Sequence, residues 1–171
     1  MREGKAKVLS SEELKRLLIV ASSGQFGVRN QAIVYCSFGL GLRAKEIAAL
    51  TIGDVGDDNG QLLDEISLKR SMTKGEKQRH VYLSNKKVRN ALQNHLDYLS
   101  APKPHQPLFQ TQRRSRFTAN ILQKWFKTLY DNAGIVGASS HSGRRTFITR
   151  LIEQGIDIKA VSGFEVQSYE K

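Results

Sequence analysis

Gly39-Leu40-Gly41-Leu42-Arg43-Ala44-Lys45-Glu46-Ile47-Ala48-Ala49-Leu50 is the stretch on which the architecture turns. Upstream of it, from about Asn30 to Leu40, runs an almost wholly apolar segment containing Ala32, Ile33, Val34, Tyr35 and Phe38. A helix that is apolar all round is a buried one, so this segment reads as the centre of the domain. The glycine pair breaks it. A new helix starts at Arg43 with Ile47 and Leu50 facing inward, and Thr51 to Asp58 then leaves the helix.

Further toward the N-terminus, Ser10 and Glu13 have capping-box spacing ahead of Leu14, Leu17, Leu18 and Val20, which predicts a helix ending near Ser22-Ser23-Gly24. Downstream, Asp57-Asp58-Asn59-Gly60 is a turn signal. Leu62 to Met72 and Gln78 to Leu83 alternate partly between apolar and polar residues around Thr73-Lys74-Gly75-Glu76-Lys77, which predicts a β-hairpin. Ser84-Asn85 can cap a helix from Lys86 to Leu99 that ends before Pro102 and Pro104. Pro107-Leu108-Phe109 reads as a short extended piece. Phe117-Thr118 precedes a helix through Ile121, Leu122, Trp125, Phe126 and Leu129. Beyond Gly134 and Gly137, His141-Ser142-Gly143-Arg144 opens a further amphipathic helix through Phe147, Ile148, Leu151 and Ile152 toward Gly155. Asp157 is placed to cap a last short helix. The fold class is mainly α with a small antiparallel β-sheet inserted near the middle. No internal repeat or low-complexity linker divides the chain, so residues 1–171 are expected to form a single domain.

The charge is uneven. The chain carries a formal net charge of +11. Lys69 to Arg89 holds eight basic residues against Glu76 alone, and Lys103 to Lys127 holds six with no acid, leaving the remainder slightly acidic in balance. Concentrated positive charge is the footprint of a polyanion-binding surface. A basic RNA-binding protein is one such class, but the interleaved exposed aromatics of a base-stacking platform are missing from the pattern. No apolar run reaches the roughly 20 residues of a membrane span, and Met1-Arg2-Glu3-Gly4-Lys5 opens no signal-peptide core. The lone Cys36 lies in the apolar segment, reads as a buried thiol and agrees with a reducing, cytoplasmic setting. No Asp/Glu/His/Cys cluster has metal-ligand spacing.

Three separated signals suit an anionic oxygen. Arg43 stands at a helix start after a glycine pair, with Glu46 three residues on; Lys74 stands on the hairpin turn; His141 and Arg144 share a helix face. Singly, each has a structural role open to it. Arg43 could cap the glycine turn with Glu46 as its ion-pair partner, and Lys74 or Lys77 could guard a strand edge.

Together and in this order, the signals resemble the catalytic domain of the tyrosine recombinases, the phage integrase and Xer-type family. Gly41-Leu42-Arg43-Ala44-Lys45-Glu46-Ile47 with Leu50 and Asp54 is similar to the family's first box, and Thr73 to Leu83 to its Thr-Lys-Gly-x-Lys-x-Arg hairpin. In the His-x-x-Arg box this chain has Gly143 where the family usually has Leu, and Arg145 where it usually has His. The resemblance covers about Leu9 to Val161. It implies a site-specific recombinase or integrase domain that binds double-stranded DNA and breaks and rejoins strands through a phosphotyrosyl intermediate, without metal or other cofactor. In that chemistry Arg43 and Arg144 would stabilise the non-bridging phosphate oxygens. Lys74 would protonate the leaving 5′-oxygen, His141 would hydrogen-bond the scissile phosphate and assist proton transfer, and Glu46 would orient the arginines or His141. Lys69, Arg70, Lys77, Arg79, Arg113, Arg114, Arg116 and Arg145 are the expected DNA contacts. Self-association on DNA, weakened if the C-terminal segment is missing, no membrane and a cytoplasmic, nucleoid-associated place are implied with it.

The chain departs from the family pattern at both ends. It begins a few residues before the matched region, so the N-terminal helical core-binding domain is expected to be missing. Gly155-Ile156-Asp157-Ile158-Lys159-Ala160-Val161 fits, but residues 162–171 do not. Gln167 stands where a second His belongs, and the nucleophilic tyrosine is expected past Lys171. Tyr169 is the one tyrosine of the tail and so its candidate nucleophile, one to two helical turns early. A chain cut or frame-shifted near Ser162 would leave such a pattern, and the alternative function is a truncated, catalytically dead DNA-binding relative.

Overall fold

The computed structural model describes residues 5–69 and 78–157. Its centre is α2 (Gly27–Phe38), whose Ala32, Ile33, Val34, Cys36 and Phe38 are buried. Around it pack α1 (Ser11–Ser22), α5 (Lys86–Tyr98) and α7 (Ser142–Glu153). A second layer is formed by α3 (Ala44–Ala49), α4 (Ile52–Val55) and α6 (Ala119–Asn132), with α6 lying against α3 and α1. The sheet has two antiparallel strands, β1 (Glu65–Leu68) and β2 (Arg79–Tyr82), in the register Glu65↔Tyr82 and Leu68↔Arg79. One continuous core runs through these elements from Leu9 to Ala138.

The helix ends follow from local chemistry. Ser10 Oγ accepts the Glu13 N–H at 3.1 Å while Glu13 Oε1 accepts the Ser10 N–H at 3.0 Å, a complete capping box. Asn85 accepts from the N–H groups of Lys87 and Val88, and Thr118 from that of Ile121, so both expected caps are formed. Two expectations shift. The central helix begins at Gly27, ahead of Asn30, and Thr51 to Asp58 holds the single-turn α4 because Asp54 Oδ2 accepts the Thr51 N–H at 2.9 Å. Among the described residues β1 begins at Glu65, not Leu62, and β2 spans Arg79–Tyr82 within the expected Gln78 to Leu83, while residues 70–72 and the expected turn at Thr73 to Lys77 lie outside the described residues. The helix expected after Asp157 lies outside the described residues. Cys36 is a fully buried thiol, and burial pushes its pKa up to about 12, so it stays protonated and inert.

Behind the site, the extended piece at Leu108 is tied into the core. Its N–H donates to the Leu50 carbonyl at 2.9 Å, and its own carbonyl accepts from His95 Nε2 at 2.7 Å. That bond requires the neutral Nε2–H tautomer or the cation, and burial pulls the His95 pKa below its ordinary value. The unfolded chain therefore takes up a proton below about pH 6.5 that the folded chain resists, so stability is fully present above that pH and falls as the solution is acidified. Urea midpoints should drop between pH 7.5 and 5.5, and His95→Gln, which keeps a donor for Leu108, should show a weaker dependence over the same window.

Candidate active site

The site is built at the break between α2 and α3. Gly41 takes a left-handed backbone with φ +68°, which turns the chain sharply. Its carbonyl accepts a hydrogen bond from Arg144 Nη1 at 2.8 Å, across 103 residues of sequence. Two residues on, Arg43 is the N-cap of α3, with an extended backbone and a side chain one-third exposed. One short loop therefore carries the first arginine and holds the second.

Glu46 organises the other side. It has no solvent exposure. Its Oε1 accepts the Arg43 backbone N–H at 2.8 Å, and Oε2 lies 3.8 Å from Arg43 Nη1. The same Oε1 accepts from Arg79 Nη2 at 2.7 Å. A carboxylate without water is expensive unless paired, and here it is paired twice.

Arg79 corrects the sequence reading. Expected on the DNA-facing surface, it keeps only 11 % of its side chain exposed and points at Glu46. Leu68, opposite it in the register, is fully buried, and cross-strand partners share a face of the sheet. The signal was present in the alternation, because Val81 and Leu83 are buried while His80 and Tyr82 are exposed, and Arg79 is in phase with the buried pair. Burial lowers its pKa, the Arg43 charge lowers it further and Glu46 opposes both.

His141 is the exposed N-cap of α7, three residues before Arg144. The approach to it is braced by Ser139, whose Oγ accepts the His141 N–H at 3.2 Å, and by buried Ser142, whose Oγ accepts the Ser139 N–H at 3.0 Å. These two serines belong to the stretch that opens α7, and nothing in the sequence pattern gives them this bracing role. Arg145 is half-buried beside Arg144. Arg113, Arg114 and Arg116 are exposed on the loop before α6, and Arg116 Nη1 reaches the Ala48 and Ala49 carbonyls at 3.5 and 3.4 Å. Lys69 is exposed and 3.9 Å from Asp54 Oδ1. Arg70, Lys74, Lys77 and Tyr169 lie outside the described residues. No group of three or more metal-ligating side chains occurs among the described residues.

One loop thus carries Arg43 and accepts the Arg144 side chain, and the helix that bears Arg144 opens on an exposed imidazole, in a mainly helical domain. The sequence profile of the phage integrase family matches residues 7–164, and the chain belongs to that family. Tyrosine recombinase XerC of Pelobacter propionicus is 31 % identical over 137 residues, 80 % of this chain and 43 % of its own length. The crystal structure of XerA recombinase superposes with a TM-score of 0.72 at 30 % identity, covering 94 % of this chain and 56 % of that one. XerH site-specific recombinase, solved bound to difH substrate in a pre-cleavage complex, matches with a TM-score of 0.65 at 26 % identity, over 93 % of this chain and 47 % of its own. The chain spans about half the length of these relatives. No helix among the described residues is long and apolar enough to cross a membrane.

Gly143 has a local reason. A Cβ there would run into the buried Ser37 Oγ and sit 3.0 Å from the Ser37 backbone carbon, so α7 can approach α2 this closely only without a side chain. Gly143→Leu, which restores the family's usual residue, should overpack this crossing and lower the unfolding free energy by about 1–3 kcal/mol in urea titrations. Pairing Gly143→Ala with Ser37→Gly should cost less than Gly143→Ala alone.

Proposed function

We propose that this chain is the DNA-strand-transfer domain of a site-specific recombinase, acting on a phosphodiester of double-stranded DNA. The observation that carries the proposal is the joining of Arg43 and Arg144 by a single loop, through the 2.8 Å bond from Arg144 to the Gly41 carbonyl. Guanidiniums set this way suit two non-bridging oxygens of one phosphate, where charge grows in the transition state. His141, at a helix start that lacks a side-chain cap, suits the same anion.

The reaction follows from the groups. A tyrosine oxygen attacks phosphorus as its hydroxyl proton passes to a base, for which His141 is suited, the bond to the 5′-oxygen breaks, and that oxygen leaves with a proton that Lys74 is suited to give. The strand end is left joined to the enzyme through a phosphotyrosyl bond, and a 5′-hydroxyl reverses the step. Tyr169 is this chain's candidate for the attacking group. Lys69, Arg113, Arg114, Arg116 and Arg145 are suited to the flanking phosphates. Association of several copies on DNA and a cytoplasmic, nucleoid-associated place accompany this reading.

Duplex binding should weaken steeply with salt, log K falling with log salt by about 0.9 per phosphate contact. A nicked duplex selected from a random library by binding should trap a covalent protein–DNA adduct. Arg43→Ala and Arg144→Ala should each cut adduct formation by about 100-fold or more while duplex affinity changes far less, and Tyr169→Phe should abolish it. Salt-sensitive binding with no adduct would overturn strand transfer and leave a DNA-binding relative.

A further inference from the structure

Glu46 stands between two cations but treats them unequally. Arg79 Nη2 takes the short contact, 2.7 Å to Oε1. Arg43 Nη1 is held at 3.8 Å from Oε2, beyond hydrogen-bond length, and Oε2 is buried without a hydrogen-bond partner among the described residues. Arg43 reaches Glu46 closely only through its backbone N–H. A fully buried carboxylate must be compensated, and an adjacent arginine is its natural bidentate partner. An arginine so engaged would have its donors turned inward. The fold instead brings a second guanidinium from a strand distant in sequence to satisfy the carboxylate.

We propose that Arg79 is a positioning residue that occupies Glu46, and thereby keeps the Arg43 guanidinium directed outward to receive the phosphate. Without Arg79, Glu46 would draw Arg43 into a close pair and withdraw it from the anion. Arg79 thus acts through Arg43 and touches no substrate. The inference rests on the reading of Arg43 as a phosphate ligand.

The test is independent of strand cleavage. Arginine Nε–H resonances of the full chain are followed by ¹⁵N-edited NMR during titration with inorganic phosphate, with Arg43 and Arg144 identified by loss of each signal in its Lys variant. In the unaltered chain both signals should move saturably. If neither moves, the phosphate pocket itself is refuted and this proposal falls with it. In Arg79→Met the Arg43 midpoint should rise by about tenfold or more, as expected when a charge-assisted hydrogen bond is lost. Adding Glu46→Gln to Arg79→Met removes the competing carboxylate and should bring the Arg43 midpoint back to within about threefold of the unaltered chain. A purely structural role for Arg79 predicts no such rescue. An unchanged midpoint in folded Arg79→Met, or a folded double variant that stays tenfold weak, would overturn the proposal. If circular dichroism finds Arg79→Met unfolded, the double variant decides alone by the same threefold criterion.

Discussion

The site depends on one fully buried carboxylate. Glu46 cannot be left uncompensated in the core, because the desolvation of an isolated charge costs several kcal/mol. That requirement fixes the start of α3 through the Arg43 N–H and pins the first residue of β2 through the Arg79 guanidinium. A helix and a hairpin that share little sequence neighbourhood are thereby held to a common point. The surrounding apolar contacts are non-directional, whereas this ion pair specifies orientation.

The second arginine reaches the same place by another route. Arg144 is carried on α7, which packs on the central helix where glycine at 143 faces Ser37. The close approach puts α7 within reach of the left-handed turn at Gly41, whose carbonyl takes the Arg144 side chain. Two glycines, one needed for backbone conformation and one for space, therefore set the relation between the arginines. The serine brace at Ser139 and Ser142 holds the approach to α7, where His141 stands exposed.

Much of this was legible in the sequence. The capping residues Ser10, Asn85 and Thr118, the apolar run of α2 and the glycine break after it all act over a few residues, where local preferences decide. The order of Arg43, the hairpin and His141-x-x-Arg144 pointed to the family without any structure. Arg79 was misread because its charge was counted with its basic neighbours, while its place was set by strand phase and by the partner waiting inside. The turn at α4 was missed because a single helical turn capped by Asp54 leaves too short a pattern for periodicity to register.

The sequence by itself determined the helical class, the hairpin, the concentration of positive charge and the identity of the residues suited to a phosphate. These follow from periodicity, capping chemistry and residue type, which are properties of a residue and its near neighbours. Only the tertiary structure decided which cations face outward and which face the interior. Arg43 and Arg79 are chemically the same side chain, separated by the distribution of one carboxylate's two oxygens. That distribution exists only once elements more than thirty residues apart in sequence have packed around Glu46, because burial, not residue type, creates the demand for a partner.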